Sequence, residues 1–393
     1  MRADRRSFLR SVAGLGAAAA TDSRSGAAAA PAVPAVEDRK VILILFGGGT
    51  RSSEAIDDPE HRWIPYLWRF MIPRGTLFTN MRVEGRVVHP NSAGSIVTGH
   101  WEWDDIDWSH PVDHPTLFEI CRKARGTPDT AAWAFVYASI LAHIGASRAP
   151  GYGAAWGANV VEPPTIPRPT AEEMDRLLRR AAATGSSEAE LAAAAECARL
   201  ARQASRIARH RLRSDAAREF LEREYVSWRA AKNTTSHDAF LTHCALACMR
   251  TFAPDVLAVC FGEIDCAHYG SWSRYVEAIR RTDALTWTLW QEAETLPAYR
   301  GRTLVLVLPD HGRELERAGG MGFIHHSDFY TNQGADEGCR RVWMLALGPG
   351  VAPGRRMETP APITSVAATA LEFLGLRATA GAEPPILRSS IGC

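Results

Sequence analysis

Four short runs constrain this chain most: VILILF at 41–46, DVLAVCF at 255–261, TLVLVL at 303–308 and VWMLAL at 342–347. None alternates apolar with polar residues. A strand with one wet face alternates, so these segments expect cover on both faces. Helical patterns lie between them. Together they predict an α/β fold: a central, mostly parallel sheet flanked by helices. A chain of 393 residues suits one large domain of this kind.

Two regions stand outside that rhythm. Residues 151–234 hold a Pro-rich stretch and two capping boxes, at 170–173 and 187–190. The second box opens an Ala/Arg-rich segment with an apolar stripe through Leu200, Ile207, Leu212, Phe220, Leu221, Tyr225 and Trp228. It reads as a helical insertion packed on the sheet domain. At the other end, Asp4-Arg5-Arg6-Ser7-Phe8-Leu9-Arg10 and a weakly apolar stretch resemble a twin-arginine export signal, followed by an Ala/Pro linker to residue 36. That implies export by the twin-arginine machinery to the periplasm or beyond, leaving residues 37–393 as the working domain. Formal net charge is +1, and no basic field argues for nucleic acid. No apolar run reaches the roughly 18 residues that a membrane span needs. The eight cysteines form no CxxC pair, and Cys244 and Cys248, one helical turn apart, read as core.

The chemistry gathers where strands end. The run at 255–261 leads into Gly262-Glu263-Ile264-Asp265-Cys266-Ala267-His268, and the run at 303–308 into Pro309-Asp310-His311-Gly312-Arg313. His325 and His326 follow on the next loop. Asp265, His268, Asp310, His311, His325 and His326 form a carboxylate and imidazole set suited to Zn²⁺ or Mn²⁺, as one or two ions. A further segment, Leu77-Phe78-Thr79-Asn80 and then His89-Pro90-Asn91-Ser92-Ala93-Gly94, reads as a loop entering a short helix whose free N–H groups suit an anion.

This order of features resembles the alkaline phosphatase superfamily, which includes type I phosphodiesterases and sulfatases. The DHG at 310–312 and the stretch 363–376 carry the likeness most specifically. The resemblance implies a metal-dependent hydrolase of phosphate esters or diesters, or alternatively a one-metal sulfatase-like hydrolase without formylglycine, acting on a small phosphorylated or sulfated substrate; the twin-arginine segment implies that it is exported. In it, Asp265, His268 and one of His325 or His326 would hold one metal, with Asp310 and His311 contributing to a second.

Two positions depart from the pattern. The resemblance implies a carboxylate after the first strand, where this chain has Gly48-Gly49-Thr50-Arg51, and its nucleophile falls on His89. The sulfatase CxPxR pattern is absent. The readings left open are Ser92 or Thr50 as nucleophile with Glu54, Asp57 or Asp58 as the missing ligand; a metal-activated water at one ion; or a degenerate site that binds without turnover. Arg51, Asn80 and Asn91 are the candidate substrate contacts. The aromatic and acidic stretch 100–110 reads either as a substrate rim or as a surface loop.

Overall fold

The apolar runs form the middle of one nine-stranded sheet with the order β4-β3-β5-β1-β6-β7-β2-β8, and β9 pairs with β2. In this computed structural model the described residues are 34–104, 108–163, 179, 211–231, 236–315, 322–324 and 336–387. The strands are β1 (Lys40–Phe46), β2 (Thr76–Arg82), β3 (Ala132–Val136), β4 (Asn159–Val161), β5 (Val256–Cys260), β6 (Thr303–Pro309), β7 (Arg341–Leu347), β8 (Arg355–Met357) and β9 (Ala361–Pro362). Only β7 runs against its neighbours, pairing antiparallel with β6 and β2. The expected α/β class and mostly parallel sheet are therefore present.

Side-chain alternation explains why β1 is apolar throughout. Val41, Leu43 and Leu45 enter one core cluster, and Ile42, Ile44 and Phe46 enter another on the opposite face. The first cluster is closed by helices α1 (His89–Thr98) and α2 (Leu117–Arg125) and by a C-terminal helix, Ser365–Phe373. The second is closed by α3 (Asp215–Ala230), α4 (His237–Phe252) and α5 (Trp272–Thr295). Cys244 and Cys248 of α4 are buried in that second core, as their spacing predicts.

Several elements differ from the sequence reading. Residues 77–80, expected as loop, lie in β2. Its pattern is mostly buried, because the strand sits between β7 and β8. Within the expected insertion, Asn159–Val161 is the edge strand β4 beside β3. The helix expected to run on from the box at 187–190 starts afresh at Asp215, where Ser214 Oγ accepts from Ala217 N. Both capping boxes, Leu200, Ile207 and residues 1–33 lie outside the described residues.

The register levels the strand ends. Phe46 pairs with Pro309, Leu45 with Cys260, and Val136 with Cys260. Gly47, Asp310, Phe261 and Tyr137 therefore leave the sheet side by side at one carboxyl edge, where open α/β sheets place their sites.

Candidate metal centre

Three of the expected residues meet tightly at that edge. Asp310 and His311 follow β6 directly, and His89 opens α1 after the extended Val88. His89 Nδ1 lies 2.7 Å from Asp310 Oδ2 and 2.9 Å from His311 Nε2, and His311 Nε2 lies 3.8 Å from Asp310 Oδ2. All three residues are buried. The remaining atoms are fixed by neighbours. His311 Nδ1 donates to Gly312 O at 2.8 Å, and Asp310 Oδ1 accepts from His311 N at 3.0 Å and Gly49 N at 3.3 Å. His89 Nε2 faces Asp265 Oδ1 at 3.2 Å.

Each imidazole thus spends one nitrogen on an acceptor and turns the other toward Asp310 Oδ2. A ring N–H given to a carbonyl or carboxylate is the usual way a protein orients a histidine ligand. Two imidazoles and one carboxylate are a donor set that fits a divalent cation such as zinc.

The electrostatics agree. Burial opposes charge on His89, but the Asp310 carboxylate and hydrogen bonds to Asp265 and Asp310 outweigh it and raise its pKa from 6.5 to about 9. Burial drives His311 the other way, to about 4, and the neighbouring His89 charge adds to that against the pull of Asp310. Burial would raise Asp310, but His311 and His89 hold it below its ordinary value. Asp265 is also lowered: hydrogen bonds from His268 and His89 and the Arg313 charge overcome its burial. A place that keeps a proton on His89 between two carboxylates is a place for positive charge, and a cation binding there displaces that proton.

Asp265 sits one step outward. Its Oδ1 meets His268 Nε2 at 3.1 Å and Arg313 Nη2 at 3.0 Å as well as His89. The structure therefore brings Asp265, His268, Asp310 and His311 together, with His89 among them. His325 and His326 lie outside the described residues.

Most of the other candidates are engaged elsewhere. Arg51 is buried and clasps Glu54 through two bonds of 2.6 and 2.7 Å, and Nη1 donates to Glu314 O. Asn80 Nδ2 donates to Glu358 O at 3.2 Å. Asn91 holds the following loop: it donates to Glu102 O and Trp103 O and accepts from Trp108 Nε1. Trp103 and Glu102 of that loop are buried, so much of the stretch is packing. Ser92 and Thr50 have fully buried hydroxyls without a hydrogen-bond partner among the described residues. Glu54, Asp57 and Asp58 each pair with an arginine, namely Arg51, Arg341 and Arg62.

Gly48 explains the missing carboxylate. Its φ is +99°, and a Cβ there would sit 2.4 Å from the Asp265 backbone nitrogen. Its carbonyl instead accepts from Arg313 Nη2, while Arg313 Nε donates to Gly49 O at 2.8 Å. Arg313 is wholly buried. It carries no motif of its own in the sequence, although it stands two residues after His311. Tyr137 has none either. It follows β3, a short Ala-containing strand that carries no motif.

No family model matches the sequence, and no curated protein matches it. Solved structures do match. The phosphonate monoester hydrolase SpPMH from Silicibacter pomeroyi is similar with a TM-score of 0.54 at 14% identity, over 90% of this chain and 77% of that one. The PsFucS1 sulfatase from Pseudoalteromonas sp. gives 0.51 at 13% identity, over 86% and 68%. The lipoteichoic acid synthase LtaP from Listeria monocytogenes gives 0.51 at 8% identity, over 91% and 75%. This chain has the alkaline phosphatase-like fold. Around the site this chain has a glycine turn after β1, a histidine at the head of α1 and a buried arginine bonded to the carbonyls of that turn.

Proposed function

We propose that this protein is an exported, divalent-cation-dependent hydrolase of phosphate esters or diesters. The observation that carries this is the convergence of His89 Nδ1, Asp310 Oδ2 and His311 Nε2 at the carboxyl edge of an alkaline phosphatase-like sheet. Zinc is the favoured ion and manganese the alternative, because the donors are two imidazoles and a carboxylate. A cation held there would polarise a phosphoryl oxygen and lower the pKa of a water.

The chain's own groups divide the remaining work. His89 and His311 act as ligands, each oriented by its second nitrogen. With both its nitrogens engaged, His89 is not the nucleophile, and water takes that part. Asp265 fixes the His89 tautomer and, with His268 and one of His325 or His326, offers donors for a second ion. Arg313 balances the Asp265 charge from below. The twin-arginine segment at the start supports export. Among the described residues no helix is long and apolar enough to cross a membrane.

A second reading is a cation-holding binding protein without turnover, which Gly48 favours because it supplies no carboxylate. One experiment separates the two. Purified protein is assayed for bound metal by mass spectrometry, then for hydrolysis of aryl phosphates, bis-aryl phosphates and aryl sulfates, with and without chelator. Metal-dependent release from the phosphates supports the hydrolase. Bound metal without turnover of any of the three supports the binding protein. Protein that neither carries nor takes up zinc or manganese refutes both.

A further inference from the structure

Tyr137 is the first residue past β3, and its backbone N–H continues the sheet by donating to Cys260 O at 3.1 Å. Its ring lies in a slot that Gly262 leaves open, with Gly47 in ordinary contact beside it. A Cβ on Gly262 would lie 2.0 Å from the ring's Cγ, and one on Gly47 would lie 3.5 Å from Cε1. The ring stands edge-on to His89, with centroids 5.9 Å apart and planes at 85°. Its hydroxyl oxygen is buried and has no hydrogen-bond partner among the described residues.

Packing accounts for the ring but not for the hydroxyl. Phenylalanine would fill the same slot and avoid burying an unsatisfied polar atom. Of the two site carboxylates, Asp265 Oδ1 is engaged by His89, His268 and Arg313, and Asp310 by His89, Gly49 N and His311 N. A phenol carries its proton at neutral pH and can give it to a hydrogen bond. The hydroxyl is thus a spare donor on a ring that stands against His89.

We propose that the Tyr137 hydroxyl donates a hydrogen bond to a non-bridging oxygen of the substrate's phosphoryl group. This rests on the hydrolase reading of the site. No proton is transferred: the O–H stays on tyrosine, and the bond strengthens as the oxygens pack against it in the transition state. The residue binds the transferred group rather than the leaving group.

The test is Tyr137→Phe in the full, metal-loaded protein, with inorganic phosphate as binding probe and a series of aryl phosphates as substrates. Loss of one donor to an anionic oxygen predicts phosphate affinity weaker by about tenfold and kcat/KM lower by about 10- to 100-fold. The factor is the same for every aryl leaving group. Metal content does not change, and the melting temperature stays level or rises. Unchanged phosphate affinity and rates in the variant, while the wild type turns esters over, overturn this inference alone. A loss that grows with leaving-group pKa overturns the assignment to the non-bridging oxygen. A lowered melting temperature shows that the hydroxyl serves the fold, and overturns it too. A wild type that binds neither metal nor phosphate defeats the hydrolase reading, and the Tyr137 role falls with it.

Discussion

Gly48 decides more at this site than any charged residue, because it fixes what cannot be there. Backbone at φ +99° with the Asp265 nitrogen 2.4 Å from any Cβ excludes an aspartate. Gly48→Asp is therefore expected to lower stability by at least about 1–3 kcal/mol from the backbone conformation alone, and to add no metal site. Thermal melting and metal analysis of that variant check both points, and a stable variant holding extra zinc would contradict the geometry. Asp310→Asn and His311→Ala attack the site directly. Each is expected to cut bound zinc to a small fraction of the wild-type content, measured on purified protein after dialysis. Legibility at this scale followed the chain. Asp265, His268, Asp310 and His311 stood out because each follows an apolar strand. The ligand role proposed for His89 did not, since its partner Asp310 is 221 positions away. Tyr137 carried no signal, because an orphan hydroxyl exists only in three dimensions.

At the scale of elements, length and apolarity set what could be read. β1, β5, β6 and β7 are continuous apolar runs and were evident. β3, β4 and β8 are five, three and three residues long, and β8 is partly exposed, so periodicity had little to work on. The Ser214 cap lay hidden inside a longer helical pattern. Buried capping groups carry the larger stability effects. Glu119 is fully buried, boxes the start of α2 with Thr116, and also accepts from Ser147 N, Ser147 Oγ and Gly153 N. Glu119→Ala strands several buried donors at about 1–3 kcal/mol each, so chemical denaturation should register a loss well above that of an ordinary surface change. Asp283 of α5 gives a pH-dependent case. It accepts from Tyr66 N and Leu67 N at 2.8 Å each, yet burial outweighs those bonds and raises its pKa from 3.8 to about 7. A carboxyl raised on folding favours the native state at low pH, and that advantage drains away between about 4 and about 7 as the unfolded chain ionises first. Asp283→Asn should lose less melting temperature between pH 5 and pH 8 than the wild type does. Parallel melting curves for the two proteins would show Asp283 to be irrelevant.

For the molecule as a whole, the question is whether the fold depends on the ion it is proposed to hold. The two cores on either face of the sheet are built without the site, which lies beyond the strand ends. The charges there are also balanced from within: Arg313 faces Asp265, and a protonated His89 lies between Asp265 and Asp310. Stripping the metal should therefore leave a folded protein with unchanged far-ultraviolet circular dichroism and no hydrolytic activity. An ion bound at a hundred times its dissociation constant contributes about 2.7 kcal/mol to the native state, so the chelated protein should melt a few degrees lower. Added zinc should restore both the melting temperature and the activity, with protons released as His89 gives up its own. Unfolding on chelation would mean that the site is a structural staple, and a melting temperature indifferent to zinc would mean that these three side chains meet for some purpose other than holding a cation.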